Sequence, residues 1–146
     1  MSSEQLTLAL WSALTFWVLG QIWQVQIVIY PLFAEVGERE YVHYHRFYSR
    51  RIRLPVIPLA LASFLLPIPL ALFGPPVPLW LRAANVAVGL SGLLVTVLLE
   101  IPRHARLEKE GKDQTTIEEL VRYNWLRTLS ISTQAVLALL MLGSVT

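Results

Sequence analysis

The sequence predicts an all-α fold: an integral membrane, up-and-down bundle of four helices, with the second and fourth helices extended on the cytoplasmic side. Three observations carry this expectation. Of 146 residues, 55% are hydrophobic and 15% charged, and the mean hydropathy is +0.54. Four runs of 30, 28, 17 and 19 residues lack any charge, and together they hold 94 of the 146 positions. A soluble fold of this length cannot bury so much apolar surface, whereas a bilayer span takes about 20 mostly apolar residues. Third, 11 of the 12 basic residues fall in or beside the first and third connections, and only Arg82 falls in the second. The positive-inside rule places the basic side in the cytoplasm and both termini outside.

Each helix has a local justification, within a single transmembrane domain over residues 1–146. The first is expected at about 6–33, where Trp11, Phe16, Trp17, Trp23, Tyr30 and Phe33 mark it as aromatic-rich. At 1.5 Å per residue it is about 42 Å long, more than a hydrocarbon core of roughly 30 Å, so it tilts or projects. Pro31 is expected to kink or end it. After Gly37 the second helix is expected over about 38–73. Its charged start places Glu38 and Glu40 ahead of Arg46, Arg50, Arg51 and Arg53, an order that suits the helix dipole. Pro55, Pro58, Pro67 and Pro69 are tolerable there only because neighbours in a membrane bundle can satisfy the freed carbonyls.

Gly74-Pro-Pro-Val-Pro78 reads as a turn. The third helix follows at about 80–106, with Gly89, Ser91 and Gly92 as a small-residue packing face and a disturbance at Pro102. A polar loop leads to the fourth helix at about 117–142. Thr115 or Thr116, with Glu118 or Glu119 three residues on, suggests a capping box there.

Composition also excludes classes of function. The absence of cysteine removes disulfide scaffolds, thiolate metal sites and Cys nucleophiles. The pI near 9.2 reflects orientation within a membrane, and nucleic acid is not an expected partner. The start, Met1-Ser-Ser-Glu-Gln5, lacks a basic n-region, so no cleaved signal peptide is expected.

Polar groups within apolar spans mark functional sites, and here they gather at the cytoplasmic end of every helix. They are Gln21, Gln24, Gln26 and Tyr30 on the first, His43, His45 and Tyr48 on the second, Glu100 and His104 on the third, and Asn124, Arg127 and Thr128 on the fourth. Gln26 and Tyr30, His45 and Tyr48, Glu100 and His104, and Asn124 with Arg127 and Thr128 all stand at same-face spacings. His43 and His45 point apart, and His45 is preferred because Tyr41, Tyr48 and Ile52 continue its face.

Three chemistries fit. His45, His104 and Glu100 have the ligand types for a transition metal, although Glu-x-x-x-His departs from the Glu-x-x-His of di-iron bundles. His45 and His104 could be axial ligands of haem b. With no cofactor, a His would abstract a proton from a lipophilic phenolic or enolisable substrate while Arg127 stabilises the anion. The plain alternatives stand beside these: a Glu100–Arg127 ion pair, histidines facing headgroups, Arg50 to Arg53 as an anchor on anionic lipid, and tryptophans at the interface.

Gln26-Ile-Val-Ile-Tyr-Pro-Leu-Phe33, Tyr44-His45 with Arg51-Ile52, Ile101-Pro-Arg-His-Ala-Arg-Leu107 and Asn124-Trp-Leu-Arg-Thr128 occur in this order. Over about residues 15–130 the chain resembles small bacterial four-helix integral membrane proteins of unknown function, loosely grouped with the anthrone-oxygenase-like family. The resemblance implies a bacterial inner membrane and a compact four-helix fold. It singles out His45, His104, Asn124 and Arg127, and it implies oxidation or oxygenation of a phenolic, polycyclic or quinone-like substrate without an established cofactor. Relatives often carry a second His one turn after His45. Tyr48 stands there in this chain, which weakens a three-His metal site.

The leading expectation is thus a membrane-embedded oxidoreductase or oxygenase-like protein acting on a lipophilic aromatic molecule. In it His45 and His104 serve as base or ligand, Glu100 as ligand or orienter, Arg127 and Asn124 bind negative charge, and Tyr30 and Tyr48 relay protons. The rival is a non-catalytic accessory subunit, or a haem- or lipid-binding component, of a larger membrane complex or homo-oligomer.

Overall fold

The computed structural model describes residues 1–145. They form five helical rods: α1 (Ser3–Glu35), α2 (Glu38–Ile52), α3 (Ile57–Phe73), α4 (Leu79–Glu110) and α5 (Gln114–Gly143). There is no strand among the described residues. α1, α4 and α5 are each long and apolar enough to cross a membrane, and α2 with α3 meet the same test together, as a pair bent by 54°. Within its apolar window only 22% of α4 is buried inside the chain. Leu90, Leu94, Val97 and Leu98 face outward.

Helix boundaries follow from local chemistry. α1 begins earlier than 6 because Ser2 and Gln5 form a capping box, each side chain bonded to the other's backbone N–H. α5 begins at Gln114 rather than near 117. Its N-cap is Asp113, whose carboxylate accepts from the backbone N–H of Thr116 at 3.0 Å and from the Thr116 hydroxyl. The expected Thr-led box is therefore replaced by an Asp cap two to three residues earlier, which satisfies the Thr116 N–H in place of the Glu118 or Glu119 N–H. Lys112 closes the other side of this loop. Its Nζ donates to the carbonyls of Ala34 and Val36, at 2.7 Å each, where α1 ends.

The expected continuous helix over 38–73 is bent between Ile52 and Ile57. Pro55 and Pro58 remove two backbone donors within one turn, and their rings crowd the preceding carbonyls. Gln21 on α1 compensates in part, donating from Nε2 to the Pro55 carbonyl at 3.2 Å. At the opposite end, Arg82 donates to the carbonyl of Ala71 at 3.1 Å and ties the 74–78 turn down.

Pro31 does not end α1. The chain instead inserts a π turn at Val25–Ile29, in which the N–H of Tyr30 reaches the carbonyl of Val25, and then resumes α geometry through Pro31. α4 does the same at Thr96–Glu100, where Ile101 N–H reaches the Thr96 carbonyl ahead of Pro102. A π turn accommodates the missing donor and the ring of proline by spreading one extra residue over the turn.

α5 packs along both α1 and α4, and α3 packs on α4 and α1, so these four rods close a ring of contacts. α2 lies on the Ile101–Glu110 stretch of α4. Gly89 and Gly92 permit the approach of α3 and α5 to α4. A Cβ on Gly89 would sit 2.9 Å from the Phe64 carbonyl oxygen, and one on Gly92 would sit 2.5 Å from the Phe64 ring. Two apolar clusters result. The larger, with Phe33, Tyr41, Phe64, Leu107 and Leu120, lies toward the basic end, and the smaller gathers Leu8, Val77, Leu81, Leu137 and Met141 at the other.

Candidate functional site

The two π turns frame the same region. The first turn carries Gln26 and is followed directly by Tyr30. The second ends on Glu100, one turn before His104. α2 lays His45 and Tyr48 over them, and α5 supplies Asn124, Arg127 and Thr128. His45 is fully buried, whereas His43 is exposed.

A hydrogen-bonded line joins four helices, α5, α1, α4 and α2. Arg127 Nη1 stands 3.5 Å from Tyr30 Oη, Tyr30 Oη 2.9 Å from His104 Nε2, and His104 Nδ1 3.1 Å from His45 Nε2. Arginine can only donate. Two tautomer sets satisfy the line: the phenol hydrogen goes to His104 Nε2 and His104 Nδ1–H to His45 Nε2, or Tyr30 Oη accepts from both Arg127 and His104 Nε2–H while His45 Nε2–H donates to His104 Nδ1. One of the two facing imidazole nitrogens must lack a hydrogen, so at most one of the two rings is cationic. His45 Nδ1 is buried and has no hydrogen-bond partner among the described residues.

Arg127 is itself held in place. Its Nη1 donates to Asn124 Oδ1 at 3.1 Å and lies 3.7 Å from Glu100 Oε2. Asn124 Nδ2 donates to Gln26 Oε1 at 2.8 Å, Thr128 Oγ1 reaches the same oxygen at 3.3 Å, and Gln26 Nε2 donates to the Val121 carbonyl at 3.1 Å. Gln26 therefore fixes which way the Asn124 amide points, and Asn124 presents its oxygen to the guanidinium. Glu100 is 2% exposed and makes no hydrogen bond among the described residues, so Arg127 is its principal electrostatic partner.

These groups line one side of a cavity of about 310 Å³. Tyr30, Tyr48, Glu100, His104 and Arg127 form its polar floor, and Val18, Ile22, Val25, Ala60 and Ile131 its apolar walls. Six of the polar residues singled out by sequence, the five of the floor and Gln21, thus share one surface. His45 and Asn124 do not line it. They stand behind His104 and Arg127, in contact with them.

His45, His104 and Glu100 do not make a metal centre, and no cluster of three such side chains able to hold a metal occurs among the described residues. The physical reason is visible in the geometry. The facing nitrogens of the two imidazoles are occupied with each other, and the Glu100 carboxylate faces a guanidinium, a poor neighbour for a second cation. Axial haem ligation by His45 and His104 fails as well. Their rings stack at 5.3 Å with a 30° interplanar angle and bond directly, leaving no gap for a macrocycle between them.

Two contributors were not assigned roles from sequence. Gln26 orients the Asn124–Arg127 pair, and its i,i+4 relation to Tyr30 was the available signal. Phe33 is the hub of the aromatic cluster, with ring centroids 5.1 Å from Tyr48, 5.4 Å from His45 and 6.2 Å from His104. Nothing in its apolar neighbourhood distinguishes it from a packing residue.

The chain matches no protein-family model, and comparison with curated proteins and with solved structures returns no similar chain.

Proposed function

We propose that the chain is a four-span bundle of the bacterial inner membrane. Its cavity, at the cytoplasmic end, binds a lipophilic aromatic or quinone-like molecule and moves a proton on it. The observation that carries this reading is the combination of an apolar-walled cavity with a floor holding a base in a hydrogen-bonded line and a fixed guanidinium. Apolar walls supply binding, and the few convergent polar groups set orientation.

The chemistry follows from the parts. A ring hydroxyl or acidic ring C–H lying on the floor gives its proton to the Tyr30–His104 pair. Arg127, pre-positioned by Asn124 and Gln26, faces the oxygen on which negative charge develops. Preorganised donors of this kind stabilise a developing anion without reorganising, and a positioned base contributes about 10²–10⁴-fold to rate. Glu100 keeps the guanidinium seated when no anion is bound. A ring anion is the electron-rich form that dioxygen or a quinone oxidises, so the oxidation implied by the family resemblance begins with the step these residues serve. The oxidant comes from outside the chain.

The test uses the full chain in lipid nanodiscs in D₂O with an anthrone-type ketone, following loss of the ring C–H signal by proton NMR. Exchange is expected to be faster than in empty nanodiscs and to fall about 10²-fold or more in His104→Phe. Equal exchange in the wild-type, His104→Phe and empty-disc samples overturns the proposal.

A further inference from the structure

Resting on the cavity being the ligand site, we infer that its ligand is an amphiphile: a ring head seated on the Arg127–Tyr30 floor, joined to an apolar tail that leaves sideways between Ile57 and Ile101 into the surrounding lipid. Size is the first reason. About 310 Å³ stands at the low end of ligand sites, which run from about 300 to 1,000 Å³. It holds a ring head and little more.

The position of the mouth is the second reason. The most exposed cavity-lining residues are Arg53 and Ile57 on one side and Ile101 and Ala105 on the other. α3 packs on the Leu79–Val95 part of α4, and α2 packs on its Ile101–Glu110 part. The 54° bend between α2 and α3 falls at the level between these contacts, and the cavity opens there. Ile57 is 44% exposed and Ile101 56%. One turn farther from the basic end, each is continued outside the cavity by an exposed leucine, Leu61 on α3 and Leu98 on α4. Away from the basic end the mouth thus opens onto two apolar rails, while Ser49, Arg53 and Glu108 line the cavity toward the basic end.

Charge sets the depth. Arg53 rims the mouth and belongs to the Arg50, Arg51, Arg53 group, all exposed. Arginines of this kind sit at headgroup level and reach outward along their stems. A mouth directly beneath them lies at the boundary of headgroups and acyl chains. A ligand entering there comes from the leaflet, head first toward Arg127, with its tail trailing along Leu61 and Leu98 toward the bilayer centre.

The test compares two probes on the full chain in nanodiscs. One is 4-nitrophenol, and the other is the same ring carrying a dodecyl tail with a terminal diazirine. On illumination the tail is expected to label residues near Leu61, Leu94 and Leu98, and excess unlabelled tailed nitrophenol is expected to suppress it. Ile57→Trp and Ile101→Trp, each at an exposed position that tolerates bulk, narrow the exit. Each is expected to reduce this competed labelling about tenfold relative to ring binding. If ring absorbance shows 4-nitrophenol bound while the tail labels the exterior uniformly and without competition, the lateral exit is wrong and the ligand cavity stands. If neither ring binds and no labelling is competed, the cavity reading falls together with the inference.

Discussion

Removing Arg127 tests the electrostatic design of the floor. Glu100 Oε2 lies 3.7 Å from Arg127 Nη1, with the acid 2% and the arginine 10% exposed at the side chain. At an effective dielectric near 20, two unit charges at that separation attract by about 4 kcal/mol, and breaking a buried pair by deleting one partner costs about 3–5 kcal/mol. Arg127→Leu is therefore expected to destabilise the chain by about 3–4 kcal/mol, part of it from the lost bonds to Asn124 and Tyr30. Glu100→Leu alone leaves the guanidinium with those two partners and costs less, about 1–3 kcal/mol. In the double variant both charges are gone, and replacing a buried pair with apolar groups is often neutral. A double-mutant cycle, read from tryptophan emission during unfolding in mixed micelles, is expected to give a coupling energy of about 2 kcal/mol or more, while the shared losses at Asn124 and Tyr30 cancel. Additivity within about 0.5 kcal/mol would refute the pairing as a source of stability and leave Arg127 free to serve another role.

Other outcomes follow from single contacts. Gly89→Ala gains about 1 kcal/mol in helix propensity but drives its Cβ against the Phe64 carbonyl, a backbone atom that cannot swing away. A lower melting temperature in thermal unfolding is expected, and a higher one would show that α3 yields. Gln26→Leu, which leaves the Asn124 amide without its orienting acceptor, is expected to raise the ligand Kd about tenfold by displacing Arg127, as measured by titration. An unchanged Kd would remove Gln26 from the positioning set. At the start of α5, hydrogen bonds from the Thr116 side chain and backbone hold the Asp113 carboxyl below its usual range. A depressed folded value means that this stabilisation is present above the ordinary aspartate pKa and is lost as pH falls through the folded one. Asp113→Ala is expected to lower the melting temperature at neutral pH and to flatten its acid dependence relative to wild type, and parallel pH profiles would contradict the cap.

The long apolar helices were legible from the uncharged runs, but their ends were not: α4 continues through both Arg82 and Glu100, and the expected second helix is two rods. The bend at 53–56 was not read, although Pro55 and Pro58 announced it. Proline density says that a helix is stressed, but whether it bends or absorbs the stress depends on a partner such as Gln21. The π turns were hidden for a related reason. Pro31 and Pro102 signal a disturbance, while the extra residue shifts the face of everything before it and leaves no trace in a 3.6-residue periodicity. At the site, same-face spacing collected Tyr30, His104, Arg127 and Glu100 correctly on one end. Spacing could not say that the two histidines bond to one another, or that Glu100 faces a guanidinium, and those two contacts exclude the metal and haem arrangements.

The ionisation state of a bound ring acid measures the central point most directly. 4-Nitrophenol, whose phenolate absorbs at longer wavelength than the phenol, reports its own proton when titrated into nanodiscs carrying the full chain. At a pH one unit below its free pKa, the bound fraction is expected to absorb as phenolate, with the proton on the Tyr30–His104 line and the oxygen on Arg127. That signal is expected to be lost in both Arg127→Leu and His104→Phe. Bound nitrophenol that stays protonated in the wild type, or that ionises equally in both variants, would contradict the assignment of this cavity as a proton-transfer site.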